Sequence, residues 1–165
     1  LTAQTTTQIR DARAADAATL SALALCSKAL WPYDETFIAA CKDELTYSEA
    51  QLKDPNLVFR VAEIDGAIAA FAALDLRCAG EEEVLALFVD PAFVRRGLGQ
   101  RLWDDAVRMA ISRGVRALQI ASDPYAEPFY AAMGARRVGE IASQSIAGRV
   151  LPLMRYSCTD SVRGT

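Results

Sequence analysis

Hydrophobic positions change period repeatedly along the chain, and each change marks an element. The apolar run Val84-Leu85-Ala86-Leu87-Phe88-Val89 predicts a strand from about Glu82, stopped by Asp90-Pro91. After a short loop the period lengthens, predicting a helix over Gly99–Arg113. Leu98, Leu102, Ala106 and Ala110 recur four apart on one face, and Arg101, Asp104, Asp105, Arg108 and Ser112 are assigned to the other. Upstream, Thr6–Arg10 predicts a first strand. Asp16–Leu30 predicts a helix with Asp16 as its cap and Leu20, Leu23 and Ser27 facing inward. Trp31-Pro32-Tyr33 breaks it, because proline drives its neighbour out of helical geometry. Helices follow over Asp34–Leu45 and Ser48–Lys53. Strands over Asn56–Ile64 and Ala67–Arg77 are joined by Asp65-Gly66, a two-residue hairpin signal. A strand over Ala117–Ser122, a short helix from Ala126 to Gly134, and strands over Arg136–Ile141 and Arg149–Tyr156 close the chain.

The order β-α-α-β-β-β-α-β-α-β-β predicts an α/β (α+β) fold: a mixed, mostly antiparallel sheet of six to seven strands with helices on both faces. No repeat, low-complexity tract or linker interrupts it, so residues 1–165 are read as a single domain. A homodimer through an edge strand near Leu151–Tyr156 is an expectation of the same order.

Composition narrows the chemistry. The chain is 52% hydrophobic and 24% charged, the balance of a folded protein able to bury roughly 70% of its unfolded surface. It contains no histidine. That removes Ser-His-Asp and Cys-His catalysis and histidine zinc sites, and leaves proton transfer to Glu, Asp, Tyr, Lys, Cys or water. Cys26, Cys41, Cys78 and Cys158 form no Cys-x-x-Cys pair and are read as reduced, mostly buried thiols; no metal is expected. No apolar run approaches the ~18 residues of a membrane span, and Leu1–Gln8 lacks a signal-peptide pattern, so a cytoplasmic location without a membrane partner is expected. Charge is divided unevenly. Residues 1–90 carry 7 Lys/Arg against 15 Asp/Glu, a balance of −8, and residues 91–165 carry 11 against 6, a balance of +5. The acidic total argues against a nucleic-acid partner, while the split suits an anionic ligand on the C-terminal half and a cationic one facing the N-terminal half.

Arg95-Arg96-Gly97-Leu98-Gly99 concentrates that argument. A glycine-permitted wrap before an open helix N-terminus presents unpaired N–H groups and the positive end of the helix dipole, and the guanidiniums add charge-assisted bonds to the same phosphate. A dinucleotide fingerprint fails at its third glycine, where Leu102 stands, and seven residues separate the strand from Gly97. A P-loop fails because no Gly-Lys-Ser/Thr follows.

The segment Leu87-Phe88-Val89-Asp90-Pro91 through Gly99 resembles the acetyl-CoA signature of the GCN5-related N-acetyltransferase (GNAT) superfamily, Gln/Arg-x-x-Gly-x-Gly/Ala after a strand. Asp123-Pro124-Tyr125-Ala126 through Phe129-Tyr130 to Gly134 resembles its second signature, Asn-x-x-Ala-x-x-Phe-Tyr-x-x-x-Gly. Val94 stands where the family has Gln or Arg, Asp123 where Asn is common, and Ala135 where Phe is common. The resemblance implies acetyl-CoA as cofactor, held by Leu87, Phe88, Val89, Arg95, Arg96, Gly97, Leu98, Gly99, Gln100, Asp123 and Phe129. It implies Tyr130 as acid for the departing thiolate, an oxyanion donor among the backbone N–H groups near Phe88 or Val89, and Glu83 as general base. By strand period Glu83 shares a face with Leu85 and Leu87. Asp75 and Glu35 are the alternative carboxylates. Trp31, Tyr33, Asp34 and Glu35 form an aromatic-acidic cluster suited to a cationic amine. Arg149 reaches either the pocket or solvent; in the pocket it would suit an acceptor that also carries a carboxylate. The implied activity is N-acetylation of a small-molecule or amino-acid-like primary amine. A protein N-terminus as acceptor, and a non-catalytic CoA-binding module, are the alternatives.

Overall fold

A computed structural model describes residues 5–159, so both ends of the expected 1–165 domain lie outside the described residues. The strands are β1 (Thr7–Asp11), β2 (Leu57–Ile64), β3 (Ala67–Asp75), β4 (Glu83–Val89), β5 (Ala117–Ala121), β6 (Arg136–Ala142) and β7 (Val150–Ser157). They form one sheet in the order β1-β2-β3-β4-β5-β7-β6. All neighbours are antiparallel except β4 and β5, whose parallel pairing follows from the crossover between them. This is the expected mixed, mostly antiparallel α/β sheet.

Two cores lie on opposite faces. One packs β2–β4 against α1 (Ala17–Lys28), α2 (Glu35–Ala40) and the segment to Tyr47, through Leu20, Leu23, Phe59, Phe71 and Ala86. A short helix, α3 (Glu49–Lys53), follows that segment, capped by a reciprocal Ser48–Gln51 box. The other core packs the sheet against α4 (Leu98–Ser112) and α5 (Glu127–Ala132), through Leu102, Trp103, Leu118, Ile120 and Met154.

Several sequence expectations are corrected. Asp105 is buried rather than on the outer face of α4: it stands seven residues after Leu98, nearly two full turns, and binds the Arg60 guanidinium of β2 at 2.6 Å. Asp16 does not cap α1 with its side chain. Its carboxylate accepts the Arg13 N–H (2.7 Å) in the turn before the helix and pairs with Arg10 (2.9 Å). The Asp34 helix, capped by its carboxylate on the Phe37 N–H, gives way to turns after Ala40. Cys26 and Cys78 are exposed, on the outer side of α1 and in the β3–β4 connection. The strand expected at the dimer edge, β7, is interior, since β5 and β6 flank it; β6 is the edge.

Candidate active site

The site arises where the sheet parts. Strands β4 and β5 share one register pair, Glu83↔Gln119, reinforced by the Gln119 N–H on the Glu82 carbonyl at 2.9 Å. Beyond it they diverge, and a slot of about 100 Å³ opens between Val84–Phe88 and Ile120–Asp123. A wider cleft of about 480 Å³ shares Glu44, Tyr47, Leu85 and Leu151 with it and reaches Glu83 and Arg77.

A bulge shapes the slot. In the β3–β4 ladder Ala73 faces Ala86 and Leu74 faces Val84, so Leu85 is an extra residue. Bulges reverse the facing of side chains along a strand. Val84, Leu87 and Val89 therefore pack on the α4/α5 side, whereas Ala86 and Phe88 pack on the α1/α2 side. Glu83, expected to share a face with Leu85 and Leu87, is exposed on the cleft with Leu85, beside Glu44, Tyr47 and Gln51, whereas Leu87 turns to the α4/α5 side. Strand period alone could not reveal this.

On the α4/α5 face the phosphate segment has the expected form. Gly97 (φ 76°) caps α4, and Arg95 (φ 62°) also adopts the left-handed conformation. The Arg101 N–H makes the first helical bond, to Gly97, which leaves the N–H groups of Leu98, Gly99 and Gln100 without intrahelical partners. No acidic residue or side-chain cap occupies the first turn. Arg95 and Arg96 are exposed beside it, Arg96 lying 5.3 Å over the Phe93 ring. Gly99 sits in close packing: a Cβ there would lie 3.2 Å from the Phe129 ring, which would have to give by a few tenths of an ångström. The two sequence motifs thus meet in one contact.

Tyr130 of α5 is buried against Trp103 (ring centroids 5.6 Å) and Phe129 (5.3 Å), and it lines the slot. Its hydroxyl makes no hydrogen bond among the described residues, and it is not sealed from solvent. Burial, assisted by the Asp123 charge, pushes its pKa well up, so it remains protonated at neutral pH.

The opposite side of the slot is built by side chains distant in sequence. Asp123 accepts from Lys28 Nζ (2.6 Å), the Tyr33 hydroxyl (2.9 Å) and the Tyr125 N–H (2.9 Å). Arg149 donates to the Tyr33 hydroxyl at 2.6 Å and reaches Asp123 at 3.5 Å. The Arg149 guanidinium lies 4.8 Å over Phe37, whose ring stacks on Tyr33 at 3.9 Å. Burial pushes the Asp123 carboxyl up, but Lys28, the Tyr125 N–H and Tyr33 outweigh it and hold the carboxyl below its usual range. Burial and the bond to Asp123 push the Tyr33 hydroxyl up. Asp123, read from sequence as a cofactor contact, is the hub of this cluster.

Other expected residues lie apart from it. Trp31 stacks on Tyr125 at 5.3 Å. Glu35 faces an outer groove between α1 and α2, beside Leu25 and Ile38. Asp75 lines neither slot nor cleft; the Arg77 side chain and N–H hold it, because both sit where β3 leaves the sheet. Lys28, Phe37 and Tyr125 were missed from sequence. Tyr125 was within reach, two residues after Asp123 inside the second motif; a lysine ending a helix carries no such signal.

A profile of the acetyltransferase (GNAT) domain matches residues 13–148. The chain belongs to the GNAT acetyltransferase family. Enzymes of this family use acetyl-CoA. No curated protein matches the chain. Among solved structures, it is similar to the PaiA N-acetyltransferase of Thermoplasma acidophilum in complex with coenzyme A (TM-score 0.76, 20% identity, 92% of this chain and 99% of that one). It is also similar to a GCN5-related N-acetyltransferase from Rhodopseudomonas palustris (0.73, 25%, 92% and 96%). An aminoglycoside 6′-N-acetyltransferase complexed with coenzyme A aligns at 0.66, with 15% identity over 92% and 97%.

Proposed function

We propose that this GNAT protein transfers the acetyl group of acetyl-CoA to a primary amine of a small-molecule or amino-acid-like acceptor, by direct attack. The observation that carries the reading is the parted β4–β5 pair, with a phosphate cradle at one end and the protonated Tyr130 hydroxyl within the slot.

The residues fit the cofactor. Open N–H groups, two arginines and an acid-free helix start suit a pyrophosphate, and the missing Cβ of Gly99 keeps the passage beside Phe129 clear. Bound acetyl-CoA supplies a thioester carbonyl. The edge of β4 beyond Glu83 has no ladder partner on the β5 side, and its backbone N–H groups support the carbonyl oxygen as charge develops. Tyr130, held neutral by burial, donates its proton to the departing thiolate. A lysine-like amine (pKa about 10.4) is almost wholly protonated at neutral pH, so a base must take a proton before attack. Glu83 and Glu44 on the cleft are the carboxylates placed to do so, through water.

The test is free-thiol release from acetyl-CoA across an amine and amino-acid library. Turnover with at least one amine, reduced by Tyr130→Phe, supports the reading. CoA binding without thiol release for any amine would leave a non-catalytic CoA-binding module in its place.

A further inference from the structure

Resting on that reading, we propose that the acceptor bears a carboxylate, and that Arg149 selects it from the α1/α2 side of the slot. Arg149 is half-buried, and one of its nitrogens, Nη2, satisfies Tyr33 and approaches Asp123. Its Nε and Nη1 donate to no atom among the described residues, and neither is sealed from solvent. Both two-donor edges of a guanidinium include Nη2, so an incoming carboxylate meets the open Nη1 group or the open Nε in a single charge-assisted bond. Stacking on Phe37 and Tyr33 fixes the plane, so little side-chain freedom remains to be lost on binding.

Three features direct these open donors to the acceptor. Arg149, Tyr33 and Phe37 stand on the face of α1 and α2, whereas the phosphate cradle, Phe129 and Leu87 stand on the face of α4. Asp123 is already occupied by Lys28, which leaves Arg149 with only its longer 3.5 Å contact to that carboxylate. The other acidic residues of the connected cavities, Glu44, Glu83 and Asp54, line the slot's mouth and the cleft and make no ion pair with Arg149. A dipolar molecule therefore finds a cation at one end and carboxylates at the other. Such an arrangement orients an amino-acid-like acceptor and disfavours a polyamine, whose second ammonium would meet Arg149.

The experiment measures binding and turnover separately. With the protein saturated in CoA, calorimetric titration compares each common amino acid with its own carboxamide, which keeps the amine and removes the charge. At least one pair should favour the carboxylate by tenfold or more. Arg149→Gln should abolish that preference and Arg149→Lys should restore part of it, while the Kd for CoA stays within twofold of wild type and shows that both variants fold. No preference in any pair, or no amino acid bound, overturns the proposal. A preference that survives Arg149→Gln, or a loss that falls on CoA affinity, removes Arg149 from acceptor recognition. The acetyltransferase reading fails on a different result, the absence of thiol release from acetyl-CoA with every amine.

Discussion

The two faces of the parted sheet are made in different ways. Toward α4 and α5 the site is mostly backbone: a left-handed glycine, open N–H groups and a packed Gly99–Phe129 contact, drawn from two short stretches of chain. Toward α1 and α2 it is side chains, with Lys28, Tyr33, Asp123 and Arg149 brought from three separate loops and helix ends. A backbone surface suits a constant ligand, since it survives changes of residue type. The other face can be rewritten by single substitutions.

Changes on each face should therefore be separable. The largest effect is expected at the boundary: Tyr130→Phe should lower kcat about a hundredfold, the lower range for a lost general acid, with little change in CoA affinity. Equal loss in both would mean that the hydroxyl serves structure or CoA binding and not proton donation. Next, Gly99→Val crowds the Phe129 ring and should destabilise the fold by about 1–3 kcal/mol, an overpacking effect, and weaken CoA binding with acceptor preference retained. Calorimetry would decide it.

A smaller effect is expected across the slot. Lys28→Met breaks a partly buried ion pair and should destabilise the fold by about 1–2 kcal/mol, below the cost at a fully buried pair. Its pH dependence has a definite sign. The Asp123 carboxyl is depressed in the folded state, so its contribution is present above the unfolded value of about 3.9 and is lost as pH falls through the folded value. Urea midpoints should therefore separate wild type from Lys28→Met most at pH 5–8, and converge in acid. A gap that widened in acid would contradict the Lys28–Asp123 assignment. The smallest change is expected from Asp75→Asn. Asp75 is engaged with exposed Arg77 outside the slot, so turnover should remain within about twofold in a steady-state assay.

The same contrast explains what could be read from sequence. The strand-to-helix succession and both motifs sit in contiguous segments whose period and glycines dictate geometry, so β4, α4 with its glycine-capped start, and the helix that carries Tyr130 were legible. The faces along β4 were not, because the Leu85 bulge is created by pairing with β3. Nor was the Asp123 hub: it depends on Lys28 and Arg149 meeting across 95 and 26 residues of chain. Tyr33 and Arg149 were identified singly from their loops, but their mutual contact required the fold.

The single rung between Glu83 and Gln119 has a mechanical consequence. Along the ladder, strands β1–β4 and β5–β7 are joined by that one rung, while the core under α4 ties both sets together. A thin, amide-bearing cofactor arm inserted in the gap would take the place of the absent rungs and tie the two sets of strands further. Cofactor binding should then raise the unfolding midpoint and slow amide exchange along the facing edges of β4 and β5.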